Sequence, residues 1–564
     1  MIFSPKRIGT VEIPNRIVMP AMTTRLADAE GFVTDGSMAY FGARAAGGVG
    51  LVTVEMASPE RAGRHRAHEL GIYDDRFLPG LARLTGALHD HGAKASIQLG
   101  HAGGHTRRDI CGEEPIAPSA IPHYVFEKTG ATITPQAMTV ERIARTTTAF
   151  VEAARRAQTA NFDCVELHAA HGYLLSQFLC PAENLRDDDY GGTLANRARL
   201  SLDILRRIKN EAPGLAVIFR MNADDYFPGG LTFEEGLQLA QWAAAAGADA
   251  LHVTAGHYRS LPSAHMMTPP MNCADGIFLD YAARIRAVVS VPVIAVGRLG
   301  DPALAARAIE TGMADFVALG RSLIADAEWP RKVRAGVPVR RCLLCNTCVD
   351  GMRSGDQLGC VINPAAAHEL EFAPANHAPR GERIAVIGAG PAGLSYAEQV
   401  AADNQVTVFE RRPRAGGALR YAGLAPQFQG VDAEQAPLDV FIENLERACA
   451  MKNVVFNFGA EITSTAAIAA DFDRIVVATG ATYRLRFEPV VLSLLVDGWG
   501  KSAFARWLFG FERVRNWFYY RFRKSLRPAL EGSAAARVTV IGDAQAPGKT
   551  REAIASAYKA ARGE

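Results

Sequence analysis

The sequence is short of net charge, of long apolar runs and of cysteines arranged for disulfides, and each shortage excludes a class of protein. Its 61 basic side chains nearly cancel 59 acidic ones, leaving a net charge of +2, so the chain offers no field to gather nucleic acid. No apolar run approaches membrane-spanning length, and the first residues, MIFSPKRIGT, lack the apolar stretch of a signal peptide. A cytoplasmic protein is therefore expected. The nine cysteines are an odd number, and Cys111, Cys164, Cys180, Cys273 and Cys449 are scattered, which suits a reducing compartment better than a disulfide framework. What is present is ordinary for a globular enzyme: 49% hydrophobic and 21% charged residues over 564 positions. That length has room for about three domains, or one large barrel with a smaller partner.

The other four cysteines are grouped. In RCLLCNTCVDGMRSGDQLGCVIN, Arg341 to Asn363, two residues separate Cys342, Cys345 and Cys348, and Cys360 returns after an eleven-residue loop. Thiolates at this spacing converge on one metal centre. Zinc sites usually pair CxxC with a second CxxC or with histidine, whereas CxxCxxC with one distant cysteine is the ferredoxin-like way to hold a cubane. A [4Fe-4S] cluster is favoured, with zinc as the alternative.

Upstream, from Ile17 to Ala318, eight short apolar runs alternate with amphipathic or alanine-rich helical patterns: RIVM, GLVTVE, KASIQL, DCVELH, AVIFRM, ALHVT, VPVIAV and DFVALG. Nearly all-apolar strands between helices mean a parallel sheet covered on both faces, and eight of them predict a TIM barrel with its chemistry at the carboxyl ends of the strands. Polar and flexible residues sit at those ends: Ala21, Met22 and Thr23, then Met56, Gln98, His168 with His171, Arg220, His257 with Tyr258, Gly297 with Arg298, and Gly320 with Arg321. Gly-Arg pairs after strands seven and eight stand where barrels bind phosphate. Two longer loops follow strands three and six, 101–135 and 256–272. The basic residues of the first, including Arg107 and Arg108, either seat an anion such as a carboxylate or CoA phosphate or form a solvated charge run.

At the fourth strand the chain reads HAAHGYLLSQFLCPAENLRDDDYGG, His168 to Gly192. Here it resembles the old yellow enzyme family of FMN-dependent oxidoreductases. With the cysteine run and the region behind it, it is similar to the long branch that holds 2,4-dienoyl-CoA reductase, trimethylamine dehydrogenase and related NADH:flavin oxidoreductases. The resemblance implies that His168 and His171 hold a substrate carbonyl oxygen and that Tyr173 protonates the substrate. Gln98 and Arg220 would contact the flavin ring, with Gly297, Arg298, Gly320 and Arg321 at its phosphate end. The residues agree on physical grounds: two imidazoles on one loop stabilise an enolate, a phenol delivers a proton, and an arginine beneath the ring favours its anionic reduced form. In amine-oxidising relatives such as trimethylamine dehydrogenase the first HxxH position is tyrosine, so His168 tilts the reading toward a carbonyl-bearing substrate.

Behind the cysteines, RIAVIGAGPAGLSYAEQVAADNQVTVFERR carries Gly388, Gly390 and Gly393 between a strand and a helix, and a second strand ending in Glu410. This is the dinucleotide fingerprint: the first glycine for the turn, the second for close approach of the pyrophosphate, the third for helix packing, the acid for the ribose. RIVVATGA, with Gly480, and VTVIGDA, with Asp543 facing the ribityl chain, resemble FAD-binding disulfide-reductase-like enzymes. FAD, or only its ADP portion, is expected. Relatives insert a complete NAD(P)H domain between these motifs, whereas this chain has only 482–537, without GxGxxG; direct NAD(P)H oxidation is therefore in doubt. That insert carries WLFGFERVRNWFYYRFRKSLR, Trp507 to Arg527, in which Arg513, Arg515, Arg521, Arg523 and Lys524 interleave with aromatic residues. It is expected to dock a redox partner protein or a membrane surface, or to pack on the shortened domain.

The resulting expectation is an α/β chain divided as follows: an FMN-binding TIM barrel over 1–335, a cluster segment over 336–371, a linker over 372–380, and a Rossmann-like FAD domain over 381–564. It would reduce an activated C=C bond of a small molecule, with electrons relayed singly from FAD through the cluster. The alternatives are an amine dehydrogenase or N-demethylase exporting electrons, and a non-catalytic electron-transfer adaptor. A homo-oligomer is expected.

Overall fold

The computed structural model describes residues 1–124, 132–372, 379–483, 488–530 and 537–564. The eight apolar runs form β1 (Ile17–Met19), β2 (Leu51–Ser58), β3 (Lys94–Leu99), β4 (Cys164–Ala169), β5 (Ala216–Asn222), β6 (Ala250–Thr254), β7 (Val293–Ala295) and β8 (Phe316–Ala318). Neighbours pair in parallel, and β1 pairs with both β2 and β8, which closes the barrel. Val18, Leu51, Ile218, Ile294 and Phe316 fill its interior, joined by Ile8 and Ile13 of an N-terminal hairpin. Such strands lie buried on both faces, which is why they read as apolar runs rather than alternating ones.

Outer helices begin where the sequence supplies a cap. Thr34, Thr139, Thr193, Thr232 and Asp301 precede α1 (Asp35–Ala46), α2 (Val140–Thr159), α3 (Leu194–Glu211), α4 (Phe233–Ala245) and α5 (Pro302–Glu310), and each side chain accepts an otherwise unsatisfied backbone N–H.

The cysteine segment, with α6 (Thr347–Arg353), lies between two hydrophobic cores. Cys348 and Cys360 pack against the barrel core, while Cys342, Cys345 and Cys360 pack against the core that follows. That second core belongs to a five-stranded parallel sheet: β9 (Arg383–Ile387), β10 (Gln405–Glu410), β11 (Val455–Phe458), β12 (Arg474–Val477) and β13 (Arg537–Val540), in the order β11-β10-β9-β12-β13. Of its helices, α7 (Pro391–Val400) packs on α8 (Gln435–Met451) and on the C-terminal helix, Thr550–Ala561. Most of the 372–380 linker, 373–378, lies outside the described residues.

Polar contacts tie the two halves together. Arg340 reaches Glu398 at 3.1 Å and the Tyr558 hydroxyl, and Arg341 reaches Asp301 at 2.6 Å. Burial alone would raise the Glu398 carboxyl, but Arg340 and Lys452 hold it down to about 2.

The 482–537 stretch is a helical excursion on a hairpin stem, Ala481–Tyr483 paired with Arg523–Ser525. It contains α9 (Glu488–Val496), α10 (Ala503–Gly510) and a π-helical turn, Trp517–Arg521, and its described residues hold no parallel strand before Arg537, where β13 begins. Residues 484–487 and 531–536 lie outside the description. One aromatic set turns inward and another outward: Phe509 and Phe518 line a cavity of the nucleotide domain, whereas Phe504, Trp507, Phe511 and Trp517 are exposed.

Candidate active site and cofactor sites

Every barrel residue singled out at the strand ends, apart from His257, borders one cavity of ≈ 1470 Å³ including its mouth. Ala21, Met22 and Thr23 form one wall. They are anchored by Glu55 on β2, which accepts from both the backbone N–H and the hydroxyl of Thr24 at 2.7 Å. Beneath lies a polar layer set by strand register, with Gln98 beside Glu166 and Arg220 beside His252. Glu166 accepts from Gln98 at 2.7 Å and from His252 at 2.6 Å, and lies 3.6 Å from Arg220. Burial would raise its carboxyl, but His252, Arg220 and Gln98 hold it at about 2. This buried carboxylate fixes the two side chains aimed at the cavity.

His171 and Gly172 both adopt positive φ, 65° and 85°, and the turn brings His168, His171 and Tyr173 to one wall. The two imidazoles lie edge to face with centroids 5.3 Å apart, and His171 Nε2 meets the Thr254 hydroxyl at 3.0 Å. Burial first, then the nearby Arg220, keeps both rings neutral, so each offers one N–H donor. The Tyr173 hydroxyl is 3.1 Å from His65 Nδ1 and hydrogen-bonded to Tyr258. Two guanidiniums, Arg353 and Arg66, face Tyr258 and overcome its burial, holding its phenol below the ordinary range, whereas burial drives Tyr173 well above it. Tyr173 is the partner that keeps its proton.

Sequence reasoning missed His65, Glu55, Glu166 and His252. The last three stand out as charged or polar residues inside otherwise apolar strands. His65 lies in RAGRHRAHE, a polar run directly after the second strand.

At the far end of the cavity, Gly297, Arg298, Gly320 and Arg321 come together. Arg298 is paired with Asp275 at 2.8 Å, and Arg321 donates to the Pro269 carbonyl at 2.8 Å. In the 101–135 loop, Arg107 pairs with Asp109 and Arg108 with Glu114 at 2.9 Å, which favours a neutralised surface over an anion seat. Residues 125–131 of that loop lie outside the described residues.

The cysteine quartet touches the same cavity through Cys342 and Cys348. Its thiols raise one another: burial first, then Cys342, Cys360 and Cys345, push Cys348 well up. A tetrahedral zinc with Zn–S of about 2.3 Å places sulfurs about 3.8 Å apart. The described ligand groups whose donor atoms all lie within 4.8 Å of one another contain no cysteine of the quartet.

In the second domain, Gly388 has φ 108° and its added Cβ would meet the Ala478 carbonyl at 2.5 Å, while a Cβ on Gly393 would meet the Gly388 carbonyl at 1.9 Å. Gly390 has nothing within 4 Å: its face is left open toward a cavity of ≈ 2230 Å³. Turn, open approach and close packing follow the dinucleotide pattern. Glu410, expected at the ribose, lines that cavity but also accepts from the Ala389 N–H at 2.9 Å and the Arg412 N–H at 2.9 Å, so it locks the glycine turn as well. Asp543, expected at a ribityl chain, lines the cavity ion-paired to Arg523 of the insert and accepts from the Gly548 N–H. Gly480, at φ 80°, borders the same space.

The model of the NADH:flavin oxidoreductase / NADH oxidase family matches residues 1–340, and that of an NAD(P)-binding Rossmann-like domain matches 386–434. An NADH oxidase of Thermoanaerobacter brockii is 38% identical over 85% of this chain and 73% of its own length. A cinnamate reductase of Clostridium sporogenes (strain ATCC 7955) is 32% identical over 86% of this chain and 74% of its own. The solved structure of a 2-naphthoyl-CoA reductase complex superposes over 100% of this chain and 99% of that one, with a TM-score of 0.85 at 23% identity; at that identity it shows the shared fold.

Proposed function

Because the chain belongs to the NADH:flavin oxidoreductase / NADH oxidase family and is a flavin-dependent oxidoreductase, we propose that it reduces a carbon–carbon double bond conjugated to a carbonyl, thioester or carboxyl group. The observation that carries this reading is the pair of buried neutral imidazoles, His168 and His171, on one wall with the protonated phenol of Tyr173. Gln98, Arg220 and the two Gly-Arg pairs would hold FMN, which when bound would supply a hydride for the β-carbon. His168 and His171 donate N–H groups to the carbonyl oxygen, where charge develops as the enolate forms. Tyr173 gives its O–H proton to the α-carbon. Thr254 and Asn222 hold His171 in place, and His65 and Tyr258 hold Tyr173. The cinnamate reductase relative supports a carboxyl-activated alkene, and Arg353 on the cavity wall is a cation suited to one.

We place a cubane on Cys342, Cys345, Cys348 and Cys360, and FAD in the cavity of the second domain. The quartet packs on both cores and would hold the cluster there, which when bound would supply a single-electron carrier between the two cofactors. A second reading, oxidation of a C–N bond with electrons leaving by the same route, is favoured by one feature: 482–537 has no glycine fingerprint for a nicotinamide donor. The insert's outward aromatic residues, with exposed Arg506, Arg513, Arg521 and Lys524, make it a docking face for an anionic lipid surface.

Anaerobic photoreduction followed by enones, enoyl-CoA esters, enoates and methylated amines tests the assignment. Reoxidation of the flavin by an alkene supports it. Reduction of the oxidised flavin by an amine replaces it with C–N oxidation. Reactivity with neither, while a partner protein exchanges electrons, makes the chain an electron-transfer adaptor.

A further inference from the structure

A second polar cluster stands behind the substrate wall, outside the flavin cavity and apart from the cysteine quartet. His105 and His123 come from the loop after β3, Glu183 from the loop after β4 and His257 from the loop after β6, and all four are buried. The donor atoms of His105, His123 and Glu183 lie within 4.8 Å of one another. Among the described residues, neither oxygen of Glu183 and neither ring nitrogen of His123 has a hydrogen-bond partner. The nearest approaches are His123 Nδ1 to Glu183 Oε1 and His257 Nε2 to Glu183 Oε2, each 3.5 Å. Buried polar atoms are normally paired, so four orphans around one point call for a shared partner.

We propose that His105, His123 and Glu183 bind a divalent transition metal of the zinc class. Two imidazoles and a carboxylate are the donor set such ions take, with a fourth position left for water. A single proton on Glu183 would satisfy one contact, whereas a dication accepts from the carboxylate and both rings together. The His105 and His123 rings are nearly perpendicular, at 85° with centroids 4.8 Å apart, so they are not stacked on one another. His257 is the outer partner, not a ligand. Its Nδ1 accepts the Arg259 N–H at 3.1 Å, which leaves the proton of the neutral ring on Nε2, directed at the second oxygen of Glu183. Histidine–carboxylate pairs of this kind orient a metal-bound carboxylate. The ion would pin together three loops of the active face, and the His105 ring packs 5.1 Å from Tyr258, itself 5.7 Å from Tyr173. It therefore sets the wall against which the proton donor rests.

The test uses the full-length holoprotein, purified without oxygen, dialysed against dipicolinate and then equilibrated with buffered zinc chloride, with zinc and iron measured separately by mass spectrometry. One zinc per chain is expected. His123→Ala and Glu183→Gln should each weaken zinc binding by more than about 100-fold by removing a direct ligand, and His257→Phe by about 10- to 100-fold by removing an outer partner. Cys342→Ser should lose iron and keep zinc. Should Glu183→Gln fail to retain flavin, His105→Gln carries the same expectation in its place. No stoichiometric zinc in the parent protein at micromolar free metal, or equal zinc in the parent and in the ligand variants, overturns the proposal.

Discussion

The chemistry turns on which of two hydrogen-bonded phenols holds its proton. Burial drives the Tyr173 phenol well above its ordinary range, whereas Arg353 and Arg66 hold Tyr258 below it, so of the two Tyr173 holds its proton the more tightly. Replacing Tyr173 by Phe should slow reoxidation of the reduced protein by an alkene by about 10²- to 10⁴-fold, the usual worth of a positioned general acid, while the rate of flavin reduction is unchanged; stopped-flow measurement of both half-reactions checks this. Equal rates in both would remove Tyr173 from the proton path. His168, His171 and Tyr173 were legible in the sequence because HxxHxY falls on one loop at a strand end. Arg220 and Tyr258 were legible as strand-end residues, but their pairing with these groups was not, and His65 was missed. His65 and Tyr258 follow other strands, at 5.0 Å and 5.7 Å between ring centroids from Tyr173, and only barrel closure brings three loops to one point. Glu166 is a similar case: an acid inside the apolar run CVEL has no visible role until register sets it beside Gln98 and within reach of His252.

At the scale of elements, the barrel and the glycine turn could be read directly, since apolar runs, caps and turn glycines are local signals. The contact that joins the halves could not, because Arg340 and Glu398 are far apart in sequence. Glu398 titrates in the folded chain at about 2, below its ordinary 4.5. Its contribution to stability is therefore fully present above about pH 4.5 and is lost as pH falls through 2. Glu398→Gln should cost about 3–5 kcal/mol at pH 7, since it removes the carboxylate paired with both Arg340 and Lys452, and the gap in melting temperature between variant and parent should narrow steadily from pH 4.5 downward. A gap independent of pH over that window would assign the loss to packing. The insert is a second element whose role depends on position. Its inward aromatics line the nucleotide cavity, but Trp507 at 61% and Trp517 at 53% exposure stay open to solvent beside their ring neighbours Phe504, Phe511 and Phe522. Aromatic rings among arginines suit the interface of anionic lipid. Vesicles containing phosphatidylserine should sediment the protein at low salt, and phosphatidylcholine vesicles should not. Trp507→Ser with Trp517→Ser should abolish the association. Sedimentation that ignores both lipid charge and these substitutions would point instead to a protein partner.

Across the whole molecule the cysteine segment touches both cores, together with Met271 and Ala325 of the barrel, which pack into the core of the second domain. Cys342 and Cys348 border the barrel cavity while Cys345 is buried in the core of the nucleotide domain. A cluster here needs no motion to serve either side. The spacing of the four cysteines predicts a ligand set, but their position between two cores required the fold. If the segment is the sole route, breaking it should separate half-reactions that the intact chain couples. Cys345→Ser should lower iron from about four atoms per chain, the content of a cubane, to a small fraction of that, with barrel flavin retained because Gln98, Arg220 and the Gly-Arg pairs are untouched. In that variant, barrel flavin reduced directly by light should still be reoxidised by alkene at the parent rate in a single turnover. Steady-state turnover fed at the nucleotide domain should fall by at least about 100-fold, since each cycle then lacks the step that delivers electrons. Turnover preserved at the parent level without iron would mean that the two cavities exchange electrons directly, and the quartet would then be a structural clasp between the halves.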